Sequence, residues 1–323
     1  MNNIEIDVII PVFNGERYIQ YAIHSVQKQT LSAARIIVAD DGSTDKTAEV
    51  VTSFMSSDPR ITYLNLAHEG VSSTRNAGIR ASKAPFVAFL DADDIWLPEK
   101  LERQAEVFSN STEQVGFVHS SYFLIDSEGD RLPDQRVVSP KKRGDVFKPL
   151  LFDGYVLSGS ASSVVVRRAL LDVVGYFDVR LFHGEDWDLW IRLAQASEVD
   201  FTSEPVVGIR VHSESAQRRA KPDRATQFFQ QQILVYEKWR DVIAGDKLFR
   251  KSLRRRAVEA VLPVVRHPQQ AHDFYISLTK SESPVVRSVF RNSFHFWCEV
   301  SFGVLGILWR RVKRKAGLHV RKK

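Results

Sequence analysis

The stretch PFVAFLDADDIWLP, residues 85–98, joins an apolar run long enough for one strand to three closely spaced carboxylates. Its first half, rich in Phe and Val, predicts a strand that is buried on both faces. Asp91, Asp93 and Asp94 follow directly. Carboxylates this close repel one another and are costly to desolvate, so we expect a positive group among them, most simply a divalent cation.

The same plan of strand, polar turn and helix comes three times before this stretch. Strands are predicted in IEIDVIIPVF (4–13), ARIIVADD (34–41) and ITYLNL (61–66), and helices in NGERYIQYAIHSVQKQT (14–30), TDKTAEVVTSFM (44–55) and VSSTRNAGIRAS (71–82). Alternation at roughly 25-residue spacing predicts an α/β fold with a mostly parallel central sheet flanked by helices, Rossmann-like in plan. Ligands bind such sheets beyond the carboxyl ends of the strands.

The pattern is less regular after residue 99. We expect helices at 99–110 and 183–197, strands at 115–126, 162–166 and 199–212, and a mobile polar loop at 128–145. The expected catalytic domain covers residues 1–224. It divides into a first half of about 1–110 and a second half of about 111–224 that closes over the first.

Residues 225–323 predict a helical C-terminal extension with a different charge. They carry 20 lysines and arginines against 7 acids, whereas residues 1–224 carry 25 against 32. The last predicted helix, 293–315, has an apolar core from Val300 to Trp309 that is too short to span a bilayer, and it ends in RRVKRK. An apolar helix flanked by cations is suited to the interface of an anionic membrane, so we expect this region to bind a membrane or a partner.

Composition excludes several classes of protein. With 44% hydrophobic and 26% charged residues over 323 positions, the chain is globular rather than disordered. The single cysteine, Cys298, excludes an internal disulfide framework. The N-terminus lacks the features of a secretory signal, so we expect a cytoplasmic protein that is peripheral on the inner face of the plasma membrane. The basic residues accompany Trp, Phe and Leu without a recognition motif, so no nucleic acid is expected as a partner.

Two pairs of aspartates follow predicted parallel strands. Asp91 and Asp93 are two residues apart and so point the same way, as hard oxygen ligands for Mg²⁺ or Mn²⁺. The plainer alternative is that Asp94 caps the next helix and the other acids are solvated. Of Asp40 and Asp41, one is expected to stabilise the turn and the other to bind a base or a ribose.

Arg75 lies near a predicted helix start, where it either pairs with a phosphate bidentately or forms a surface ion pair. The sequence has neither G-x-G-x-x-G after the first strand nor G-x-x-x-x-G-K-[ST] anywhere. The glycines typical of a dinucleotide site or a P-loop are therefore missing from this sequence.

A second acidic cluster, HGEDWDLWIR (183–192), precedes an amphipathic helix. Its acids are either helix caps, above all Asp188, or include a general base aimed at an acceptor hydroxyl. His212 follows a short strand and is either structural or a weak metal ligand.

Five motifs stand in order across about 190 residues: PVFNGERYI, VADDGSTD, STRNAG, FLDADD and GEDWDLWIR. Together they closely resemble the inverting nucleotide-sugar glycosyltransferases of family 2, which have the glycosyltransferase-A fold. The resemblance covers roughly residues 5–215. The Q-x-x-R-W stretch of processive synthases is absent, so we expect addition of one or a few sugars.

The resemblance implies a role for each motif residue. Asp186 is the expected catalytic base, with Glu185 and Trp187 on the acceptor side. Asp93 is the expected ligand of Mn²⁺ or Mg²⁺, with His212 as a weaker one. The expected donor-binding residues are Pro11, Phe13, Asn14, Asp41, Arg75, Asn76 and Asp91.

The implied activity is transfer of a hexosyl or N-acetylhexosaminyl group from a nucleotide sugar, by family habit a UDP-sugar, to a glycan or lipid-linked glycan in cell-surface polysaccharide or glycolipid synthesis. Two alternatives remain. A nucleotidyltransferase also uses a metal and a parallel sheet, but PVFNGERY offers little beyond Arg17 for a triphosphate. The second alternative is an inactive glycan-binding or assembly protein on the same fold. The acids at every motif position argue against it, because such a protein would not need them.

Overall fold

The structure is a computed structural model of the chain, and it describes residues 4–133, 137–153, 157, 160–212, 224–262, 268–281, 283–290 and 300. The chain forms two compact units, Met1–Arg219 and Ala220–Lys323.

The first unit is built on one mixed sheet of eight strands. Its strands are β1 (Ile6–Val12), β2 (Arg35–Asp40), β3 (Ile61–Asn65), β4 (Phe86–Phe89), β5 (Ile95–Trp96), β6 (Val115–Ile125), β7 (Val164–Arg167) and β8 (Glu198–Arg210). The strand order is β3-β2-β1-β4-β7-β6-β8-β5. The first four strands pair in parallel, as predicted, and β7 joins them to the second half through antiparallel pairs with β4 and β6.

Helices connect these strands. They are α1 (Ile19–Gln27), α2 (Thr47–Met55), α3 (Val71–Ala81), α4 (Lys100–Asn110), α5 (Phe147–Asp153), α6 (Arg168–Val174) and α7 (Glu185–Ala196), with a 3₁₀ turn at Ala161–Ser163. The predicted class, a mostly parallel sheet flanked by helices, is confirmed, although three of the strand pairs are antiparallel.

Two features of the first unit were not predicted. The short strand β5 follows the aspartates directly and pairs antiparallel with β8, Ile95 opposite Gly208. Helix α5 forms after the predicted polar loop, residues 128–145. Within this loop, isolated bridges join Val138 to Tyr122 and Gly144 to Val199. The described parts of this segment are therefore tied to the sheet, and its mobility stays a prediction.

Helix α3 is placed by a close approach to β1. Every residue of β1 is buried, and a Cβ added at Gly78 would overlap Cγ2 of Ile9. A glycine is needed here because it lets the helix backbone lie against the strand without a side chain between them. The same turn of α3 carries Arg75 and Asn76 on its buried side.

The second unit is helical where it is described. It contains α8 (Arg224–Lys238), α9 (Arg240–Ile243), α10 (Lys247–Val261), α11 (Pro268–Thr279) and α12 (Pro284–Phe290). Both α11 and α12 begin at a proline, which lacks the N–H that a first helical residue leaves unbonded. The predicted basic helix at 293–315 lies outside the described residues, apart from Val300. Among the described helices none has the length and apolar character needed to cross a membrane.

We expect Gly78→Ala to destabilise the first unit. The added methyl gains up to about 1 kcal/mol of helix propensity, but it must displace a β-branched side chain in a close-packed strand, at a cost of about 1–3 kcal/mol. Urea unfolding followed by tryptophan fluorescence measures the change. Arg80→Ala, at an exposed position of α3, is the control, and equal midpoints for the two variants would contradict the close approach.

Candidate active site

Loops that follow β1, β2 and β4 meet at one edge of the sheet. These three strands are parallel neighbours, with β1 between the other two. The loops at 13–17, 41–46 and 90–94 therefore leave the sheet side by side. They carry most of the predicted donor residues.

Ser162 holds the aspartate loop, residues 91–94. Its Oγ accepts a hydrogen bond from Asp91 N at 3.0 Å and donates one to Asp94 Oδ2 at 2.6 Å. Arg210 N donates to Asp94 Oδ1 at 2.9 Å. The prediction that Asp94 caps the next helix is wrong, because α4 begins at Lys100 and the buried Asp94 carboxylate joins the loop to β8 instead.

Arg210 fixes the same loop from its other side. Its Nε donates to Asp93 O at 2.7 Å, and a terminal nitrogen donates to Asp126 O and Ser127 O at 2.9 Å each. The buried guanidinium also lies over the ring of Tyr18, 4.7 Å from its centroid. Arg210 thus fixes the backbone of Asp93 while leaving its carboxylate to other partners.

Asp93 and His212 converge. Asp93 Oδ2 lies 3.1 Å from His212 Nε2, and the His212 ring packs at a centroid distance of 5.0 Å against Tyr18. Burial and the negative charge of Asp91 raise the pKa of the Asp93 carboxyl. A carboxylate beside another carboxylate and an imidazole favours a cation at this point.

This arrangement fits a divalent ion that is held partly by the substrate. The described residues contain no group of three or more His, Cys, Asp or Glu side chains placed to hold a metal by themselves. Mg²⁺ is, however, usually bound by one or two carboxylates together with substrate phosphates. For such an ion Asp93 would supply one oxygen, whereas the imidazole nitrogen of His212 would be a weaker ligand of Mg²⁺ or Mn²⁺.

Arg75 is buried and bridges two acids. Its terminal nitrogens donate to Asp91 Oδ1 at 2.7 Å and to Glu185 Oε1 at 2.9 Å, and the guanidinium lies over the ring of Phe177. Burial alone would lower the Arg75 pKa, but the charges of Asp91 and Glu185 outweigh it and raise the pKa. The ion pair considered from sequence is therefore present, but it is buried and not on the surface. Pairing of Arg75 with a phosphate stays a prediction.

Asp186 follows Glu185 at the start of α7, after Gly184 in a left-handed conformation at φ +77°. Burial, together with the neighbouring charge of Glu185, raises the pKa of Asp186 to about 7, although Arg75 opposes the shift. Trp187 N donates to Asp186 Oδ1 at 2.6 Å. A carboxyl group with a pKa near neutrality suits a general base.

The two residues after Asp186 belong to the core. Trp187 is fully buried and its Nε1 donates to Leu150 O at 2.9 Å. The expected acceptor-side role of Trp187 is therefore corrected, since a side chain without exposed surface anchors the helix instead. Asp188 is also fully buried and pairs with Arg192, its i+4 neighbour, so it is not a helix cap either.

Asn76 bonds to the backbone before α7. Its amide oxygen accepts from Phe177 N at 2.9 Å and its amide nitrogen donates to Phe177 O at 2.8 Å. The side chain is buried. In this structure Asn76 positions the segment that leads to Asp186, and its expected contact with the donor stays a prediction.

The loop after β1 is tied to the loop after β2. Asn14, at φ +49°, donates from its N–H to Ser43 Oγ and accepts from Thr44 N, both at 2.8 Å. Phe13 is 46% exposed and stacks on His68 with ring centroids 4.1 Å apart. Phe13 therefore presents an aromatic face at the edge of the loop, whereas Pro11 is buried inside β1.

Asp40 and Asp41 have different partners, and the expected turn role falls to Asp40. Asp40 accepts from Ser43 N and from Tyr63 Oη, which makes it the turn residue. Asp41 is buried and accepts from the N–H groups of Glu69 and Gly70. The base-reading role expected for Asp41 stays a prediction.

Two important residues were missed from the sequence. Ser162 lies in a run of small polar residues with no feature that marks it as a partner of Asp94. Phe177 has no charge or motif, yet its ring lies beneath the Arg75 guanidinium, 5.2 Å from it. Neither has a local sequence signal, because each partner is distant in the chain.

Comparison with known proteins identifies the family of the chain. The profile of the family described as Glycosyl transferase family 2 matches residues 7–174. An uncharacterized glycosyltransferase of Rickettsia prowazekii is 32% identical over 212 residues, 64% of each protein. The Escherichia coli enzyme WfgD, named UDP-Glc:alpha-D-GlcNAc-diphosphoundecaprenol beta-1,3-glucosyltransferase, is 30% identical over 200 residues, 62% of this chain and 73% of WfgD.

Solved structures support the fold. TarS 1-349 of S. aureus, in complex with UDP-GlcNAc, superposes with a TM-score of 0.59 at 19% identity, covering 88% of this chain and 79% of TarS 1-349. The mannosyltransferase PcManGT from Pyrobaculum calidifontis, in complex with GDP-Man and Mn²⁺, gives 0.56 at 15% identity, covering 95% and 87%.

The family match covers the four parallel strands, the aspartate loop and Arg75. The fold is of the glycosyltransferase-A kind. On this match, the chain belongs to glycosyl transferase family 2.

Proposed function

We propose that this chain is a metal-dependent inverting glycosyltransferase that moves a sugar from a UDP-sugar to a hydroxyl of a lipid-linked glycan. The observation that supports this proposal most directly is the buried Arg75, which donates hydrogen bonds to Asp91 of the aspartate loop and to Glu185 beside Asp186. This contact places the two acidic clusters in one site. The named activity of WfgD and the nucleotide sugars bound to TarS and PcManGT support the substrate class.

The residues divide the reaction between them. Asp186 takes the proton from the acceptor hydroxyl as its oxygen attacks the anomeric carbon, and the bond from that carbon to the diphosphate breaks on the opposite face. The nucleoside diphosphate leaves, and Asp186 returns the proton to solvent. One base facing away from the leaving group gives inversion without a second nucleophile.

The leaving diphosphate lies on the side of Asp93 and His212. A divalent cation bound there would neutralise the charge that develops on the diphosphate without proton transfer. Arg75 and Arg210 hold Asp91 and the backbone of Asp93 in place. Phe13 offers its exposed ring to the nucleobase.

The helical second unit is the proposed membrane contact. The exposed side of α10 carries Lys247, Arg250, Lys251 and Arg255, together with Leu248, which is 70% exposed. Cations around an exposed leucine suit the anionic face of a membrane. Binding there would bring the chain to a membrane that holds a lipid-linked acceptor. The proposed location is therefore peripheral, on the inner face of the plasma membrane.

We expect Asp186→Asn to lower kcat by at least about a hundredfold while donor binding is kept, because general-base catalysis contributes about 10²–10⁴-fold. For the parent, kcat/KM should rise with pH and level off above about 7, since the protonated acid cannot accept a proton and the Asp186 pKa is about 7. Initial rates between pH 5.5 and 9 measure both effects. Asp172→Asn, on the exposed part of α6, is the control. Near-parental kcat in Asp186→Asn would refute the base assignment.

Asp93→Ala should abolish the part of UDP binding that depends on Mn²⁺, because the variant loses the carboxylate that shares the cation with the diphosphate. Thermal shift with UDP, with and without Mn²⁺, measures the binding. Asp172→Ala is the matched loss of a carboxylate away from the site. An unchanged Mn²⁺-dependent shift in Asp93→Ala would show that the metal is held elsewhere.

Reversing three charges of α10, in Lys247→Glu/Arg250→Glu/Lys251→Glu, should weaken binding to phosphatidylglycerol vesicles strongly, since each basic residue near an anionic surface contributes about 1 kcal/mol. Vesicle sedimentation at two salt concentrations measures it, with phosphatidylcholine vesicles as the uncharged control. Binding that keeps its parental strength and salt dependence would argue against this surface as the contact.

A further inference from the structure

The segment between α6 and α7, residues 175–184, leads directly into the catalytic acids and is held by α3. Asn76 bonds to both backbone groups of Phe177, and Ser72 Oγ donates to Leu181 O at 3.4 Å. Phe177 and Leu181 are buried. The segment is therefore fixed at two points on its inner side.

Two apolar side chains of this segment are exposed. Val179 is 61% exposed and Phe182 is 63% exposed, although the buried Leu181 lies next to Phe182 in sequence. An exposed valine and an exposed phenylalanine in one anchored segment leave apolar surface in contact with water. The two residues are three positions apart, so their Cα atoms lie within about 11 Å of each other. We call Val179 and Phe182 the patch, since two exposed apolar side chains this close indicate a binding surface more than a scattered single residue does.

The patch is close to the reacting group. Phe182 lies four positions before Asp186, so the chain limits the distance between their Cα atoms to about 14 Å. An acceptor whose hydroxyl reaches the Asp186 carboxylate must extend away from the site over its neighbouring surface. The segment 175–184 supplies part of that surface.

Polar groups in the same segment favour a sugar over a lipid. Arg180 is exposed and pairs bidentately with Asp178, at 2.9 Å from Nε and 2.7 Å from a terminal nitrogen. This ion pair, formed by the residues on either side of Val179, is poorly suited to contact with hydrocarbon. It is well suited to a pyranose ring, which has an apolar face of C–H groups and a rim of hydroxyls.

We propose that Phe182 and Val179 form an acceptor-binding surface, on which Phe182 stacks against the apolar face of a sugar ring while Arg180 and Asp178 face its hydroxyls. This proposal rests on the proposed function, because it gives the acceptor glycan of that reaction its place. It assigns to Phe182 a role in acceptor affinity and none in donor binding.

Saturation-transfer NMR with the full chain, UDP and Mn²⁺ tests the surface. The probes are octyl glycosides of glucose, galactose, mannose and N-acetylglucosamine. We expect at least one of them to bind the parent, Phe182→Ala to weaken its binding about tenfold, and Phe182→Trp to restore it to within about twofold. Val173→Ala, at an apolar position of α6 that is 79% exposed, is the matched control and should bind like the parent.

Two further measurements separate the outcomes. Thermal shift with UDP and Mn²⁺ should be the same for the parent and Phe182→Ala, and a loss of the shift in the variant would overturn an acceptor role. Sedimentation with phosphatidylglycerol vesicles should also be unchanged, and a loss specific to Phe182→Ala would assign the patch to lipid.

Binding of none of the four glycosides by the parent, or equal effects of Phe182→Ala and Val173→Ala, would overturn the proposal. A parent that fails to bind UDP would instead count against the proposed function.

Discussion

The guanidinium of Arg75, buried between Asp91 and Glu185, is the interaction on which the site depends. A buried charge is costly unless it is paired and hydrogen-bonded, and here one cation is shared by two acids from different parts of the chain. Without Arg75, the charges of Asp91 and Glu185 would be unpaired. Asp91 already repels the charge of Asp93, and Glu185 that of Asp186. The pKa of Asp186 shows both effects: burial and the charge of Glu185 raise it, whereas the charge of Arg75 lowers it by less.

The scaffold holds this cation in a fixed position. Gly78 lets α3 lie directly against β1, and Asn76, next to Arg75 on that helix, bonds to the backbone of Phe177. One helix therefore sets both the cation and the segment that leads to Asp186. The other side of the site is held differently, since Ser162 and Arg210 fix the backbone and the buried acid of the aspartate loop. The carboxylate of Asp93 is left close to His212.

The sequence allowed good predictions wherever a residue acts through its own strand or turn. Buried strands that end in acids appear as apolar runs followed by Asp40, Asp41, Asp91 and Asp93, and the alternation of strands and helices predicted the parallel half of the sheet. The errors concern partners that are far apart in the chain. Asp94 looked like a helix cap because its partners, Ser162 and Arg210, are 68 and 116 residues away. Trp187 was expected on the acceptor side beside a catalytic acid, whereas α7 directs it at Leu150. Which side of a helix faces the core is decided by packing that a local pattern does not contain.

The central claim is that the two acidic clusters serve one in-line displacement, with the leaving diphosphate on the side of Asp93 and the base, Asp186, on the other. The most direct measurement is the anomeric configuration of the glycoside formed from an α-linked UDP-sugar, determined by proton NMR. We expect a β-linked glycoside, because a single base and no protein nucleophile give one inversion. An α-linked product would contradict it, since retention requires a different arrangement of groups around the anomeric carbon.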